Sequence, residues 1–346
     1  MPGSTGDPSD GADPRPSGTN GRDCASHERR LLERITTATL EASVTACRTP
    51  KMGAVADTYV LELANAPDVT DVPDVTGGPD VTGGPGHPAR IVCKIGGANV
   101  WTGDVVEPLV IERVRSRTTL PVPAVYASGS IVERSGRRRR WAVYEFLEGS
   151  VPRNPNRSDR RRIVRSAGEV LGSLHDAFEY EHVGEFVRDG TEIDLRPPVS
   201  RNLLADAVVG ERLPAVTASD PDCRPVLDHG DFFPKNLLVD DGEITAVLDW
   251  GNAHVTHAGY GMARAEARFV DLAPVGRHER ARLRQLFRDG YTDRTPLPPS
   301  YDEQASIYKA LWLAQSAVNI GHVARSSRGR VQLSRQLRSW VRDRLP

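Results

Sequence analysis

Three oxygen-bearing side chains have types and a spacing that suit phosphoryl transfer. Asp231 is followed five residues later by Asn236, and a second carboxylate, Asp249, comes thirteen residues after Asn236. A carboxylate can orient an attacking hydroxyl and accept its proton, and an amide oxygen with a second carboxylate can bind Mg²⁺. We therefore predict that Asp231 is the catalytic base and that Asn236 and Asp249 are metal ligands.

A short hairpin is predicted between these ligands. The β-prone segments 237–239 and 244–248 flank Asp240-Asp241-Gly242, a strong turn signal. This hairpin would return Asp249 to Asn236, with Asp240 and Asp241 as turn formers. We expect His229, two residues before Asp231, to brace the loop by hydrogen bonds.

A lysine upstream is predicted to need an acidic partner. Lys94 lies among apolar residues of the strand predicted at 90–95, and an unpaired ammonium is costly to desolvate. The following helix carries Glu107 on the same face as Val110, Ile111 and Val114. Glu107 is the predicted partner and Glu112 the second choice. The alternative is a strand-edge lysine whose ammonium reaches water.

Composition indicates an ordinary globular protein. The 346 residues suffice for one large domain or two lobes, with 38% hydrophobic and 26% charged residues. A formal net charge of -1 gives no case for nucleic-acid or membrane binding. Without a hydrophobic signal segment or an apolar run of about 20 residues, we expect a cytoplasmic protein. The oligomeric state stays open.

The four cysteines are expected to be reduced. They are scattered through the chain, without a C-x-x-C pair or a histidine at ligand spacing, so neither a zinc site nor a disulfide framework is predicted. They are Cys24, Cys47, Cys93 and Cys223.

Two segments are predicted to lack packed structure. Residues 1–27 are rich in Gly, Pro, Ser and Asp and predict a disordered tail, followed by a short amphipathic helix. Residues 67–86 repeat Pro-Asp-Val-Thr and predict a flexible insertion that widens a hairpin turn.

The run Leu-Asp-His-Gly-Asp-Phe-Phe-Pro-Lys-Asn at 227–236, with Asp249-Trp250 after it, resembles the catalytic and metal loops of aminoglycoside phosphotransferases. This resemblance implies an α+β, two-lobed protein-kinase-like fold. The N-lobe, residues 28–143, would hold a small antiparallel sheet with one helix. A hinge at 144–149 would lead to a larger, mainly helical C-lobe at 150–346.

The resemblance also implies roles for residues outside the catalytic loop. Lys94 would contact nucleotide phosphates and pair with Glu107. Gly53 would lie in a hairpin over the nucleotide, although an ordinary turn is the better explanation of that glycine alone. Backbone groups of Glu145 and Leu147 would face the adenine edge. The cofactors would be ATP, with GTP possible, and Mg²⁺.

One departure from the resembled pattern concerns the support of the catalytic loop. The family usually follows Asp-Trp with Gly-Asp-Pro and then with Asp-Leu-Ala at the start of a helix. Here residues 256–263 read Thr-His-Ala-Gly-Tyr-Gly-Met-Ala, so both aspartates are replaced, near His257 and Gly261. We expect weaker support of the loop and altered activity.

The acceptor is not specified by these motifs. Residues 271–346 hold 14 Lys plus Arg against 7 Asp plus Glu, which disfavours polycationic aminoglycosides. A helix at 304–320 should pack through Ile307, Leu311, Trp312 and Ala314, with Trp312 as a candidate substrate wall. The acidic residues that could still form a cationic pocket are Asp271, Asp289, Asp293, Asp302 and Glu303.

The sequence therefore predicts a kinase of small hydroxylated molecules, whether antibiotics, sugars or amino alcohols. A non-catalytic nucleotide-binding module of the same fold is the alternative, motivated by the replaced aspartates. A protein kinase is less favoured because no Ala-Pro-Glu segment or long activation loop follows Asp249.

Overall fold

The computed structural model describes residues 22–50, 56–64, 89–96, 103–132, 136, 138–189, 192–196 and 224–323. Its N-terminal lobe is built on a six-stranded antiparallel sheet. The strands are β1 (Arg22–Asp23), β2 (Ser43–Thr49), β3 (Ala56–Ala64), β4 (Arg90–Gly96), β5 (Val125–Val132) and β6 (Arg138–Glu145). Their order across the sheet is β1-β2-β3-β4-β6-β5.

The first helix, α1 (Ser26–Leu40), covers one face of this sheet. Its apolar stripe, Leu32, Ile35 and Leu40, is buried against alternate residues of the strands, among them Leu61 and Ile91. Alternation within a strand and a three-to-four-residue spacing within the helix bring both apolar sets into one core.

The N-terminal segment differs from its prediction in two respects. Arg22 and Asp23 pair with Thr49 and Arg48, and α1 begins at Ser26, so the tail predicted through residue 27 becomes structured at residue 22. Cys24 and Cys47 form a disulfide across this pairing, with Cα atoms 5.6 Å apart. The prediction of reduced cysteines is wrong for this pair, because strand pairing brings together two residues that are distant in sequence.

For the remaining cysteines and predicted segments, the structure tests only Cys93. Cys93 is a buried free thiol. Cys223, residues 1–21 and the insertion at 67–86 lie outside the described residues.

The second helix, α2 (Gly103–Arg117), connects the two lobes. The predicted apolar face is confirmed, since Val110, Ile111 and Val114 are all buried. These residues share a core with Trp250 of the C-terminal lobe. The helix that carries Glu107 is therefore fixed against the segment that follows Asp249.

In its described residues, the C-terminal lobe contains four α-helices, two small sheets and a π-helical turn. The helices are α3 (Arg157–Ala177), α4 (Ala258–Glu266), α5 (Arg277–Thr292) and α6 (Tyr301–Val323), and the π-helical turn is Ala267–Asp271. The strands are β7 (Gly184–Asp189), β8 (Glu192–Arg196), β9 (Pro225–Asp228), β10 (Leu237–Asp240), β11 (Glu243–Val247) and β12 (His254–His257). One sheet has the order β8-β7-β12-β9, and β10 pairs with β11.

The long helix α3 is buried along one face, at the spacing of helical turns. Ile163, Val164, Ala167, Val170, Leu171 and Leu174 are at most 9% exposed. The helix approaches α5 closely because a Cβ at Gly168 would lie 2.0 Å from the Phe287 carbonyl oxygen. His175 of this helix is fully buried.

Helix α6 was predicted at 304–320, and its buried face differs from the prediction. Ala305, Tyr308 and Trp312 are buried, at spacings of three and four. Ile307 is 44% exposed, because a residue two positions after Ala305 points away from this stripe. Trp312 is 7% exposed, so its predicted burial is confirmed.

The two-lobed α+β architecture is as predicted, with the small four-stranded sheet of the C-terminal lobe as an addition. None of the helices in the described residues is both long and apolar enough to cross a membrane.

Candidate active site

The catalytic loop begins where β9 ends and is held by a glycine. Gly230 has a φ of 81°, in the left-handed region. A Cβ there would lie 1.8 Å from the carbonyl oxygen of Asn252. Only glycine allows the loop to pass so close to the backbone beyond Asp249.

His229 braces the loop through both ring nitrogens, as predicted. Its Nε2 lies 3.0 Å from the Leu248 carbonyl oxygen, and its Nδ1 lies 3.2 Å from the amide nitrogen of Asp231. Nδ1 therefore accepts from Asp231, and Nε2 donates to Leu248. Burial lowers the pKa of His229, opposed by the nearby aspartates, which favours this neutral ring.

The predicted hairpin brings Asn236 and Asp249 to one place. Leu237 pairs with Val247, and the amide of Leu248 donates to the Asn236 carbonyl oxygen at 2.9 Å. The turn residue Asp241 has a φ of 45°, consistent with its predicted role. Asp249 lies just beyond the hairpin.

Lys94 pairs with Glu107, as the sequence predicts. Its Nζ lies 2.7 Å and 3.0 Å from the two carboxylate oxygens of Glu107 and 3.2 Å from Oδ1 of Asp249. Desolvation lowers the pKa of Lys94, but the two carboxylates outweigh it and raise the pKa above its ordinary value. Glu112, the second choice, lies on the exposed side of α2.

Glu107 also joins the two lobes. It is 3% exposed, and its Oε1 accepts from the amide of Trp250 at 3.1 Å. Its Oε2 accepts from the Tyr144 hydroxyl at 3.2 Å. One carboxylate thus connects the lysine strand, the end of β6 and the residue after Asp249.

The donor set of Asn236 and Asp249 fits a hard divalent cation. The Asn236 amide nitrogen donates to the Asp231 carbonyl oxygen at 2.9 Å, so the side-chain carbonyl oxygen of Asn236 is the atom that would bind a cation. Desolvation raises the pKa of Asp249, but Lys94 outweighs it and the net pKa is lowered, so the carboxylate stays ionised. The described residues contain no cluster of three or more His, Cys, Asp or Glu suited to a metal. Mg²⁺ with few protein ligands suits this set, because it retains water and phosphate oxygens.

The predicted adenine contacts lie at the end of β6. The Glu145 amide and carboxylate are already engaged with Ala124, each at 2.9 Å. A contribution of Glu145 to nucleotide binding would therefore come from its carbonyl oxygen, with Leu147 two residues further on. Gly53 lies outside the described residues.

The replaced aspartates have a counterpart in the loop itself. Asp228 is 2% exposed and accepts from the Gly230 amide at 2.7 Å and from Arg264 of α4 at 2.5 Å. A Cβ at Gly261 would lie 2.4 Å from Oδ2 of Asp228. The carboxylate of Asp228 therefore occupies the space beside α4, and it supports the catalytic loop from the loop side.

The sequence did not predict the role of Asp228, nor that of Arg268. It lies on the π-helical turn, and its NH2 contacts Oδ1 of Asp231 at 2.9 Å. In the sequence, Arg268 follows Arg264 by four residues, a spacing that places two residues on one face of a regular helix. With Arg268, the predicted base has a cation beside it.

Solved structures share this architecture. The chain is similar to the amicoumacin kinase hAmiN in complex with AMP-PNP, Ca²⁺ and Ami, with a TM-score of 0.62, 14% identity, and 92% of this chain and 94% of that chain covered. It is similar to aminoglycoside phosphotransferase APH(4)-Ia, with a TM-score of 0.56, 14% identity, and coverage of 92% and 99%. For macrolide 2′-phosphotransferase MphH from Brachybacterium faecium the values are 0.53, 18%, 89% and 96%.

Sequence comparison gives a family but no individual relative. No curated protein sequence matches the chain. The model of the phosphotransferase enzyme family, APH, matches residues 109–303, more than half of the chain and all of the catalytic and metal loops. The chain belongs to the phosphotransferase enzyme family.

Proposed function

We propose that this protein transfers the γ-phosphoryl group of ATP, with GTP as a possible substitute, to a hydroxyl of a small molecule. The main support is the hydrogen-bonded arrangement of Lys94, Glu107 and Asp249. It lies next to Asp231 and Asn236, which are themselves hydrogen-bonded. Phosphoryl transfer depends mainly on positioning and on neutralisation of charge, and this arrangement offers both. The family membership and the nucleotide complex of the amicoumacin kinase support the same proposal.

Each residue has a defined part in the proposed reaction. Asp231 orients the acceptor hydroxyl and takes its proton, as the hydroxyl oxygen bonds to the γ-phosphorus. The bond from that phosphorus to the β–γ bridging oxygen breaks, and the nucleoside diphosphate leaves. Lys94, held by Glu107, contacts the phosphates. Mg²⁺ bound by Asn236 and Asp249 would neutralise charge on the phosphate oxygens.

The test measures phosphoryl transfer from ATP with Mg²⁺ to a panel of hydroxylated antibiotics, sugars and amino alcohols. We expect Asp231→Asn to reduce kcat by roughly 10²–10⁴-fold, the usual contribution of a general base, with AMP-PNP binding retained. Asp240→Asn is the matched control, because this exposed aspartate belongs to the hairpin turn. Activity that survives Asp231→Asn at the wild-type level would contradict the mechanism.

The alternative is a nucleotide-binding module without catalysis. The replaced aspartates near His257 and Gly261 motivate it, and the support that Asp228 gives to the loop weakens it. Tight AMP-PNP binding with no transfer to any acceptor would favour this alternative.

A further inference from the structure

The carboxylate of Asp231 is engaged at both oxygens. Oδ1 accepts from Arg268 at 2.9 Å, and Oδ2 lies 3.4 Å from the amide nitrogen of Asn236. The Asp231 side chain is 22% exposed and that of Arg268 15%. A hydroxyl that approaches Asp231 must therefore share or replace the contact with Arg268.

The guanidinium of Arg268 lacks a full set of acceptors. Its NH1 is buried with no hydrogen-bond partner among the described residues. Its carbon lies 5.1 Å from the ring centre of Phe233 and 5.4 Å from that of Trp312. Desolvation, reinforced by Arg264, lowers the pKa of Arg268. A planar fork of donors close to two aromatic rings is suited to bidentate recognition of an anion.

Most of the acidic residues that could have lined a pocket for a cationic acceptor are paired with basic side chains. Asp271 contacts Lys309 at 2.7 Å, and Asp293 pairs with Arg165. Asp302 contacts Arg288 at 2.5 Å. A polycationic acceptor would have to displace these partners, whereas an anionic acceptor would not.

We propose that the acceptor carries an anionic oxygen group near its hydroxyl, and that Arg268 is the residue that recognises it. The anionic group takes the hydrogen bonds of Arg268 and draws the guanidinium away from Asp231. Oδ1 of Asp231 is then free for the hydroxyl proton, while the oxygen bonds to the γ-phosphorus and the nucleoside diphosphate leaves. Recognition of the anion thereby prepares the base. This inference rests on the proposed kinase function and names the class of its acceptor.

The test compares three molecules of one shape: 3-phenyllactate, its neutral carboxamide and the amino alcohol phenylalaninol. Each has a hydroxyl and an aromatic ring that suits Phe233 and Trp312. We expect wild type to favour the acid over the amide by about 10-fold or more in kcat/KM, the effect of a charge-assisted hydrogen bond. Arg268→Gln should abolish this preference, and Arg268→Lys should restore part of it. Arg161→Gln is the matched control, because Arg161 pairs with Glu279 through two hydrogen bonds.

A purely structural role of Arg268 predicts another result. In that case Arg268→Gln would lower the rates with the acid and the amide equally, and the acid-to-amide ratio would be unchanged, which overturns the inference. Equal or better turnover of phenylalaninol by wild type would overturn it too, and would leave the kinase function standing.

Calorimetric titration of 3-phenyllactate in the presence of AMP-PNP separates the two proposals. If 3-phenyllactate binds, Arg268→Gln weakens this binding and no acceptor is phosphorylated, the recognition of an anion is supported and the kinase function is overturned. Absence of both binding and transfer for the acid overturns the inference.

Discussion

The two sides of the active site differ in how completely their charges are paired. On the nucleotide side, which we define as Lys94, Glu107, Asn236 and Asp249, the lysine contacts two carboxylates, and Glu107 also accepts from a backbone amide and a hydroxyl. On the proposed acceptor side, defined as Asp231, Phe233, Arg268 and Trp312, the arginine contacts the Asp231 carboxylate and has a donor without a partner among the described residues. Under the proposed function, the nucleotide side is already assembled without a ligand, whereas the acceptor side would be completed by its ligand.

This difference has a structural origin. The nucleotide side is carried by a strand, a helix and a hairpin whose cores hold them in register. Arg268 lies on a π-helical turn, a rare kind of segment that occurs often at functional sites. Four variants test the comparison, beginning where the two sides meet.

The largest effect is expected for Gly230→Ala, between the two sides. The positive φ and the overlap with the Asn252 carbonyl oxygen should together lower the free energy of unfolding by about 2–5 kcal/mol. Gly136→Ala is the control, because Gly136 has a φ of 78° but no atom of the described residues lies within 4 Å of the place where a Cβ would stand. It should cost about 1–2 kcal/mol. Equal losses in urea unfolding would show that the close approach to Asn252 is unimportant.

The next largest effect is a dependence of the free energy of unfolding on pH. It arises from His175, which is buried near the catalytic loop. Burial lowers the pKa of His175 to about 4, opposed by Asp228 and reinforced by Arg224 and Arg264. The unfolded state, with an ordinary pKa of about 6.5, binds the proton more readily, so this contribution is present above pH 6.5 and is lost as pH falls towards 4. The loss is on the order of 3 kcal/mol in the free energy of unfolding.

His175→Gln tests this assignment, since glutamine can replace the contact with Tyr291 but does not titrate in this range. The variant should flatten the curve of unfolding free energy against pH between 4 and 6.5. His278→Gln is the control, because His278 is exposed. An unchanged slope in His175→Gln would assign the acid sensitivity to other groups.

Glu107→Gln breaks the nucleotide side alone. It removes the charge that holds Lys94 while keeping the shape of the side chain. A hydrogen bond between charged groups contributes about 1.5–3 kcal/mol, so the KM for ATP should rise by roughly 10–100-fold with little change in the KM for the acceptor. Glu112→Gln, on the exposed side of the same helix, should leave both constants unchanged. A comparable rise in Glu112→Gln would reverse the assignment of the partner.

The two sides also differ in how far the sequence predicts them. Asp231, Asn236 and Asp249 lie within nineteen residues, and a hairpin signal is enough to bring Asn236 and Asp249 together. The partner of Lys94 follows from the single apolar face of α2. These are local patterns with a regular period, and the structure brings the residues together as expected.

Arg268 could not be placed from such patterns. A π-helical turn shifts the helical register, so a period of 3.6 residues does not show which face carries the arginine. The Cys24–Cys47 disulfide and the sheet of β7, β8, β9 and β12 were missed because both depend on contacts between distant segments. The support of the loop by Asp228 was missed because its carboxylate comes from the loop itself. The resemblance predicts a supporting aspartate at the start of the helix that is α4 here.

The smallest effect is expected for Trp312→Leu, which breaks the acceptor side alone. The ring of Trp312 lies 5.4 Å from the guanidinium carbon of Arg268, and a cation–π contact contributes about 0.5–2 kcal/mol. The KM for the acceptor should therefore rise by about 2–30-fold, while the KM for ATP stays the same. Trp141→Leu is the control, because Trp141 packs against Gly129 in the N-terminal lobe. A rise in the KM for ATP alone would place Trp312 on the nucleotide side. A rise in the KM for the acceptor alone would show that the aromatic walls hold Arg268 in position for its ligand.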